Sequence, residues 1–202
     1  MPKRFNVMSK DEMYMKMAQL IARRSKDPNS QVGAVIVSND DRILSIGYNG
    51  FPNGVSDNEF PWERTAEHEE DTKYMYVCHA ELNAILNFRG DIKALTGATL
   101  YVTMFPCNEC MKAIIQTGIT KVIYLEDKYP TSSSHIATYR MANATHTSIQ
   151  PYKRASYNKL ANIINKIYVL PNSPKYRNIK ESEHPEADVQ DWYNDIEDIM
   201  NS

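Results

Sequence analysis

Two cysteines lie three residues apart in the stretch FPCNEC, directly behind a proline: Cys107 and Cys110. The chain has three cysteines in all. In a reducing compartment such a pair binds a metal or performs dithiol redox chemistry, and a structural disulfide is disfavoured. The flanking residues predict a strand-to-helix junction, where the helix dipole lowers the pKa of a thiol and favours the metal-binding thiolate. The pair alone leaves zinc and redox chemistry open.

A second group of metal-binding side chains lies in the stretch VCHAE, residues 77 to 81. His79 together with the two thiolates supplies three ligands of the type that zinc prefers. Cys78 could close the site as a fourth ligand, but side chains of adjacent helical residues diverge by about 100°. We therefore expect three protein ligands and one open position, which is typical of catalytic zinc.

Glu81 lies two residues after His79, so in the middle of a helix the two side chains would point about 200° apart. Both can reach one site only if His79 caps the helix, and the sequence predicts that it does. A catalytic zinc ion lowers the pKa of a bound water from about 15.7 to about 7. Glu81 is then expected to take a proton from that water and return it to a leaving group.

The elements that must position these residues alternate between helix and strand. The capping box SKDE predicts a helix from Ser9 to about Arg24. Further patterns predict a hairpin from VGAVIV and ILSIGY, and buried strands at TLYVT and KVIYL. Helices are predicted in CHAELNAILNFRG and NECMKAIIQTG, ending at Gly90 and Gly118. The long connection over residues 51–77 is typical of a lid or binding loop.

Composition indicates a single intracellular domain. The 202 residues carry a formal charge of −2, so no global field attracts nucleic acid or an anionic membrane. No run of about 18 apolar residues predicts a membrane span. We expect a domain over residues 1–170, with a helix near residues 160–167, and an acidic tail over 171–202. Residues 181–202 hold eight acidic side chains and no lysine or arginine, which favours a solvated end over an interaction tail.

The combination H-x-E…P-C-x-x-C is a signature of zinc nucleobase deaminases. Four stretches in order, KDPNSQVGAVIV, GYNGFPNG, DTKYMYVCHAELNAI and MFPCNEC, resemble the deoxycytidylate (dCMP) deaminases of the cytidine/deoxycytidylate deaminase superfamily. The resemblance covers about residues 11–130. It implies an α/β fold of the cytidine-deaminase type, a three-layer α/β/α sandwich whose mixed five-stranded sheet has helices on both faces.

The resemblance also implies an activity and its partners. It implies an enzyme that converts dCMP to dUMP with release of ammonia, for thymidylate synthesis; the cytoplasmic location is expected separately, because the sequence shows neither a secretion nor a membrane-spanning pattern. It further implies a homohexamer that dCTP activates and dTTP inhibits. In this chain the ligands of Zn²⁺ would be His79, Cys107 and Cys110, and Glu81 would be the proton shuttle. No second zinc site is expected, because no cysteines remain for it, and His68 is interpreted as a loop histidine.

The resemblance implies substrate contacts at Ser25, Asn49, Ala80 and Tyr129. Asn49 would lie against the sugar hydroxyl, and the Ala80 N–H would face the pyrimidine O2. Ser25 and Tyr129 would bind the 5′-phosphate, with Arg24 and Lys26 as nearby charges. A regulatory nucleotide site is expected at Lys26, Asn49, Gly50 and Gly54, since glycine permits close approach of backbone to phosphate.

Several alternatives stay open at the level of sequence. A dual dCMP/dCTP deaminase or another cytosine nucleoside deaminase would share the zinc core. A polynucleotide editor would need a basic groove, which the composition does not indicate. A zinc-stabilised nucleotide sensor without turnover belongs to another class, and Glu81 argues against it because binding alone requires no proton shuttle at the metal.

Overall fold

The computed structural model describes residue 4 and residues 7–153, and residues 8–152 form one compact unit. A second unit, residues 1–7 with 153–202, lies almost entirely outside the described residues. The helix expected near 160–167, the domain boundary at residue 170 and the acidic tail also fall outside them. These three expectations stay predictions.

Helices and strands alternate through the compact unit. The helices are α1 (Lys10–Ala22), α2 (Ala80–Asn87), α3 (Asn108–Gln116) and α4 (Ser133–Ala144). The strands are β1 (Gly33–Val37), β2 (Ile43–Tyr48), β3 (Thr99–Met104), β4 (Lys121–Glu126) and β5 (Ser148–Pro151). Short 3-10 turns occur at Glu69–Asp71, Lys73–Met75 and Ile92–Leu95. Within the described range, none of the helices combines the length and the apolar character that crossing a membrane requires.

The five strands form one mixed sheet in the order β2-β1-β3-β4-β5. β1 runs antiparallel to β2 and β3, whereas β3, β4 and β5 are parallel. Alternate residues of β1 point to opposite faces: Ala34 and Ile36 pack in the core that contains α2 and α3, and Val35 and Val37 pack against α1. The α/β architecture with helices on both faces is confirmed.

Helix α3 ends where the sequence predicts, whereas helix α2 ends earlier than predicted. Gly118 follows α3 with φ +77°, and its N–H donates to Ile115 O at 3.0 Å, as expected for a glycine that ends a helix. The predicted end of α2 at Gly90 is wrong, because the helix ends at Asn87. Phe88 already has extended backbone (ψ 127°) and packs against the core, so packing of the aromatic ring ends the helix before the glycine.

The first turn of α2 packs closely against β2. A Cβ at Gly47 would lie 2.3 Å from both Ala80 O and Ala84 N, so only glycine allows the helix backbone to approach the strand this closely. The Asn83 side chain donates to Tyr48 O at 2.8 Å from the same helix. These contacts fix the first turn of α2 beside the end of β2.

Candidate active site

Three predicted metal ligands meet where α2 and α3 begin. His79 is the N-cap residue of α2, Cys107 is the N-cap residue of α3, and Cys110 lies in the first turn of α3. His79 Nδ1 lies 3.4 Å from Cys107 Sγ and 3.3 Å from Cys110 Sγ. Among the described residues these three form the one such ligand cluster, and Cys78 is not part of it.

The spacing of the ligand atoms fits a tetrahedral zinc ion. With Zn–S distances of about 2.3 Å and Zn–N distances of about 2.0–2.1 Å, tetrahedral angles place sulfur and nitrogen ligands about 3.5 Å apart. The two distances from His79 Nδ1 are 3.4 and 3.3 Å. Two sulfurs and one imidazole leave the fourth tetrahedral position without a protein ligand from this cluster.

Glu81 reaches the same site because His79 is not helical. His79 has φ −75° and ψ 155°, which is extended backbone, and this confirms that it caps the helix. Glu81 is the second residue of α2, is only 4% exposed, and lines a cavity together with His79 and Cys107. A carboxylate therefore lies beside the expected metal.

The ionisable groups of the site perturb one another. A hydrogen bond with Cys110 lowers the pKa of the Cys107 thiol to about 4, and the same contact together with burial raises the pKa of the Cys110 thiol. A hydrogen bond to Cys107 raises the pKa of His79 to about 9. Burial raises the pKa of the Glu81 carboxyl to about 7, a range in which a carboxyl can both accept and donate a proton near neutral pH.

The cavity beside the ligands has a volume of about 410 Å³, within the range of small-molecule sites. Its polar lining residues are Asp27, Ser30, Asn49, Arg64, Lys73, Tyr74, His79, Glu81, Cys107 and Tyr129. Its smaller or apolar lining residues are Val32, Val77, Ala80, Met104 and Phe105. A cavity of this size, lined by aromatic and aliphatic side chains together with many polar groups, suits a planar heterocycle that carries polar substituents.

The long connection over residues 51–77 is packed and contributes to this cavity. Phe51 stacks on Trp62 with ring centroids 4.1 Å apart, and the Phe60 and Tyr76 rings meet edge to face at 5.0 Å. The Trp62 indole donates to Asp57 O at 3.0 Å. Four lining residues come from this connection: Arg64, Lys73, Tyr74 and Val77. The segment has the character of the binding loop that its length predicts.

One wall of the cavity holds a buried polar cluster. Lys73 forms an ion pair with Asp27, and the two residues are 5% and 3% exposed. Asn49 Nδ2 donates to Ser30 O at 2.9 Å and to Asp27 Oδ2 at 3.3 Å, while Asn49 Oδ1 accepts from Val32 N–H at 2.8 Å. The amide of Asn49 is thereby held in one orientation at the cavity.

The exposed side of the cavity holds a cation between two phenols. The Arg64 guanidinium donates to Tyr74 Oη at 3.0 Å and to Tyr129 Oη at 3.2 Å. No carboxylate in the described part of the chain pairs with Arg64. Its positive charge is therefore uncompensated at a cavity edge that Tyr129 also lines.

The residues predicted to bind substrate separate into two groups. Asn49, Ala80 and Tyr129 line the cavity together with Glu81, His79 and Cys107. Ser25 is not among the described lining residues; its Oγ accepts from the N–H of Asp27, which does line the cavity, at 3.3 Å. The role of Ser25 in phosphate binding stays a prediction.

The residues predicted to bind a regulatory nucleotide lie in different surroundings. Lys26 forms an ion pair with Asp57 on the surface. Gly50 forms a β-bridge with Cys78, whereas Gly54 has φ +91° and open space where a Cβ would be. Of these four residues, Asn49 lines the described cavity and the other three do not. Their regulatory role stays a prediction.

Sequence reasoning assigned no role to Asp27 or Lys73 and did not single out Arg64. Asp27 and Lys73 lie inside the stretches KDPNS and DTKY, which carry part of the family resemblance. Only the fold brings them to Asn49, over separations of 22 and 24 residues along the chain. The one signal for Arg64 in the sequence was that it is the single arginine of the acidic connection over residues 51–77.

Comparison with known proteins agrees with this geometry. Residues 8–126 match the family described as "Cytidine and deoxycytidylate deaminase zinc-binding region". The chain is 52% identical over 153 residues to a deoxycytidylate deaminase of Homo sapiens, covering 74% of this chain and 84% of that protein. It is 50% identical over 139 residues to a probable deoxycytidylate deaminase of Drosophila melanogaster, covering 66% of this chain and 68% of that protein.

A solved structure has the same fold. The dCMP deaminase of cyanophage S-TIM5, in complex with dCMP and dUMP, matches with a TM-score of 0.57 and 29% sequence identity. The match covers 72% of this chain and all of the phage chain.

Proposed function

The chain belongs to the family of cytidine and deoxycytidylate deaminases, and on this premise we propose that His79, Cys107 and Cys110 hold its zinc ion and that Glu81 moves the proton. It catalyses the hydrolytic deamination of dCMP to dUMP and ammonia, with zinc as cofactor. The observation that carries the assignment is a buried glutamate in the first turn of α2, two residues after the N-cap histidine of the three-residue ligand cluster.

Bound zinc supplies a Lewis acid that lowers the pKa of its water from about 15.7 to about 7. Glu81 accepts the proton that this water gives up and delivers a proton to N3 of the cytosine. Glu81 then takes the second proton from the hydroxyl that has added to C4 and gives it to the departing amine, so that one carboxyl serves twice as general acid or base. The Ala80 N–H, in the first turn of α2 where amides lack helical partners, donates to the pyrimidine O2. Phe105 and Val32 confine the ring in the cavity.

Arg64 is proposed as a partner of the 5′-phosphate, together with Tyr129. Its charge is not neutralised by a described carboxylate, and Tyr74 and Tyr129 hold its guanidinium at the open side of the cavity. A planar guanidinium can donate two parallel hydrogen bonds to a phosphate. A cation in this position favours a nucleotide over a nucleoside.

Replacing Arg64 by methionine is expected to lower kcat/KM for dCMP about 10- to 100-fold, because a hydrogen bond to a charged group contributes about 1.5–3 kcal/mol. Turnover of deoxycytidine, which has no phosphate, should change little. Arg42→Met, which removes an exposed arginine paired with Asp40 in the β1–β2 turn, is the matched control and should leave both rates unchanged. Equal losses on dCMP and deoxycytidine would rule out phosphate recognition by Arg64.

Substrate choice is tested by following the ultraviolet absorbance of cytidine, dCMP, dCTP and a cytosine oligonucleotide with the purified protein. Each is assayed with and without a trace of dCTP as activator. Preferred turnover of dCMP is expected. Comparable turnover of dCTP would identify the dual dCMP/dCTP alternative, and turnover of none would favour the nucleotide sensor and contradict catalysis.

Regulation and assembly are proposed by family resemblance. We propose that dCTP activates and dTTP inhibits, through a site that includes Lys26, Asn49, Gly50 and Gly54, and that the enzyme is a homohexamer. The open space at Gly54 supports close approach of a phosphate to the backbone. A cytoplasmic location is proposed as well, since a reducing compartment keeps both thiolates available to the metal.

A further inference from the structure

A buried charge pair at the cavity has no part in the chemistry described so far. Lys73 and Asp27 both line the cavity, and their side chains are 6% and 2% exposed. Burying two charges is costly, and a pair of this kind contributes little net stability compared with apolar residues of the same size. Its position at a substrate cavity therefore calls for a functional explanation.

Asp27 has already used its capacity to accept hydrogen bonds. Its Oδ1 accepts from the backbone N–H groups of Asn29 and Ser30, at 2.8 and 3.1 Å. Its Oδ2 accepts from Lys73 Nζ and from Asn49 Nδ2. These four bonds match the roughly four lone-pair sites of a carboxylate. Asp27 therefore orients its neighbours and has little capacity left for a ligand.

Lys73 and Asn49 still have unused hydrogen-bonding groups, unlike Asp27. An ammonium group has three N–H donors, and the bond to Asp27 uses one of them. Asn49 Oδ1 has two lone pairs, and Val32 N–H uses one. Both side chains bind the same oxygen of Asp27, so a free donor and a free acceptor lie side by side at the cavity.

A neutral hydroxyl group matches this arrangement, because it accepts one hydrogen bond and donates another. Asp27 neutralises Lys73, whereas Arg64 at the open side has no described carboxylate partner, so a phosphate dianion prefers Arg64. The base must lie at the metal ligands. A deoxynucleoside 5′-monophosphate has one free hydroxyl, at the 3′ position, and it belongs to the sugar between base and phosphate.

We propose that Lys73 is a specificity-determining residue that donates to the 3′-oxygen of the substrate, while Asn49 Oδ1 accepts the 3′-hydroxyl hydrogen and Asp27 positions both. This inference rests on the proposed function, since it names how that site recognises the sugar of dCMP. It adds Lys73 and Asp27 to the expectation that Asn49 alone contacts the sugar.

The first test compares dCMP with 2′,3′-dideoxycytidine 5′-monophosphate in the unaltered enzyme. A site built to hydrogen-bond a hydroxyl discriminates strongly against an analogue that lacks it, so dCMP should be preferred at least about 100-fold in kcat/KM. A preference below about threefold would overturn the proposal, because the lost hydrogen bonds would then contribute almost nothing. Turnover of neither substrate would overturn the proposed function instead, and the inference with it.

The second test repeats the comparison with Lys73→Met. The preference for dCMP should fall below about 10-fold, because kcat/KM for dCMP should fall while kcat/KM for the dideoxy analogue stays nearly unchanged. A purely structural role would lower both values alike and leave the preference intact, which would overturn the proposal. Lys10→Met, which removes an exposed lysine paired with Asp41, is the control and should keep the wild-type preference.

Lys73→Met leaves Asp27 as a buried unpaired charge, which can prevent folding. The double variant Lys73→Gln/Asp27→Asn removes both charges, and it should show the same loss of preference. A crystal structure of Glu81→Gln with dCMP gives a readout that needs no change at Lys73. Nζ should lie about 3 Å from the 3′-oxygen, and a 3′-oxygen out of hydrogen-bond reach of Nζ would overturn the proposal.

Discussion

Glu81→Gln is expected to lower kcat for dCMP by about 10²- to 10⁴-fold, the usual contribution of a positioned general acid or base. Glutamine has nearly the same shape as glutamate but cannot accept and return a proton at neutral pH. The side chain is buried beside the ligands and is not one of them, so zinc content should remain one ion per chain. The measurements are steady-state kinetics and elemental analysis of the same preparation.

Glu109→Gln is the matched control for this change. Glu109 is the second residue of α3, as Glu81 is the second residue of α2, and the N-cap residue of each helix is a proposed metal ligand. The Glu109 side chain is exposed and forms an ion pair with Lys112, so its replacement should leave kcat unchanged. Loss of zinc from Glu81→Gln would mean that Glu81 is a ligand, and near wild-type kcat would exclude it as the proton shuttle.

Cys107→Ser should abolish both stoichiometric zinc and turnover. Three ligands hold the ion, and the binding free energy of a structural zinc site reaches about 10–16 kcal/mol, so removing one thiolate weakens the site by a large fraction of its affinity. Because the ligands join the starts of α2 and α3, loss of the metal should also lower Tm. Elemental analysis, dCMP turnover and thermal unfolding are measured together.

Cys78→Ser is the matched control, since Cys78 precedes a ligand directly and lies outside the ligand cluster. It should keep zinc and activity. Removal of zinc from the unaltered enzyme with a chelator should abolish turnover, and added Zn²⁺ should restore it. Full activity of Cys107→Ser, or loss of zinc from Cys78→Ser, would contradict the assigned ligand set.

The sequence was sufficient to predict the cluster of proposed metal ligands because they lie at the starts of helices. The side chains of His79, Cys107 and Cys110 converge through two N-cap positions, and such positions have recognisable local patterns. The expectation that His79 caps α2 followed from geometry alone, since Glu81 could reach the site in no other way. Strands β1 to β4 were accessible for a similar reason, because apolar runs and turn residues are local signals, whereas no pattern predicted β5.

The polar residues of the cavity wall were only partly accessible from the sequence, because the resemblance implied Asn49 and Tyr129 but not Asp27, Lys73 or Arg64. Asp27, Asn49 and Lys73 are brought together by the fold, and each has an ordinary surface or turn interpretation in the sequence. Helix α4 was not predicted either, because its polar and apolar residues lack a clear helical period. The end of α2 depended on how Phe88 packs, which local glycine signals do not encode.

X-ray absorption at the zinc edge of the purified enzyme is the most direct test of a three-ligand site with an open position. We expect two sulfur ligands at about 2.3 Å and two lighter ligands, His79 and solvent, near 2.0–2.1 Å. Binding of a substrate analogue should alter only the lighter shell. A third sulfur in the shell, or protein without stoichiometric zinc, would contradict the account.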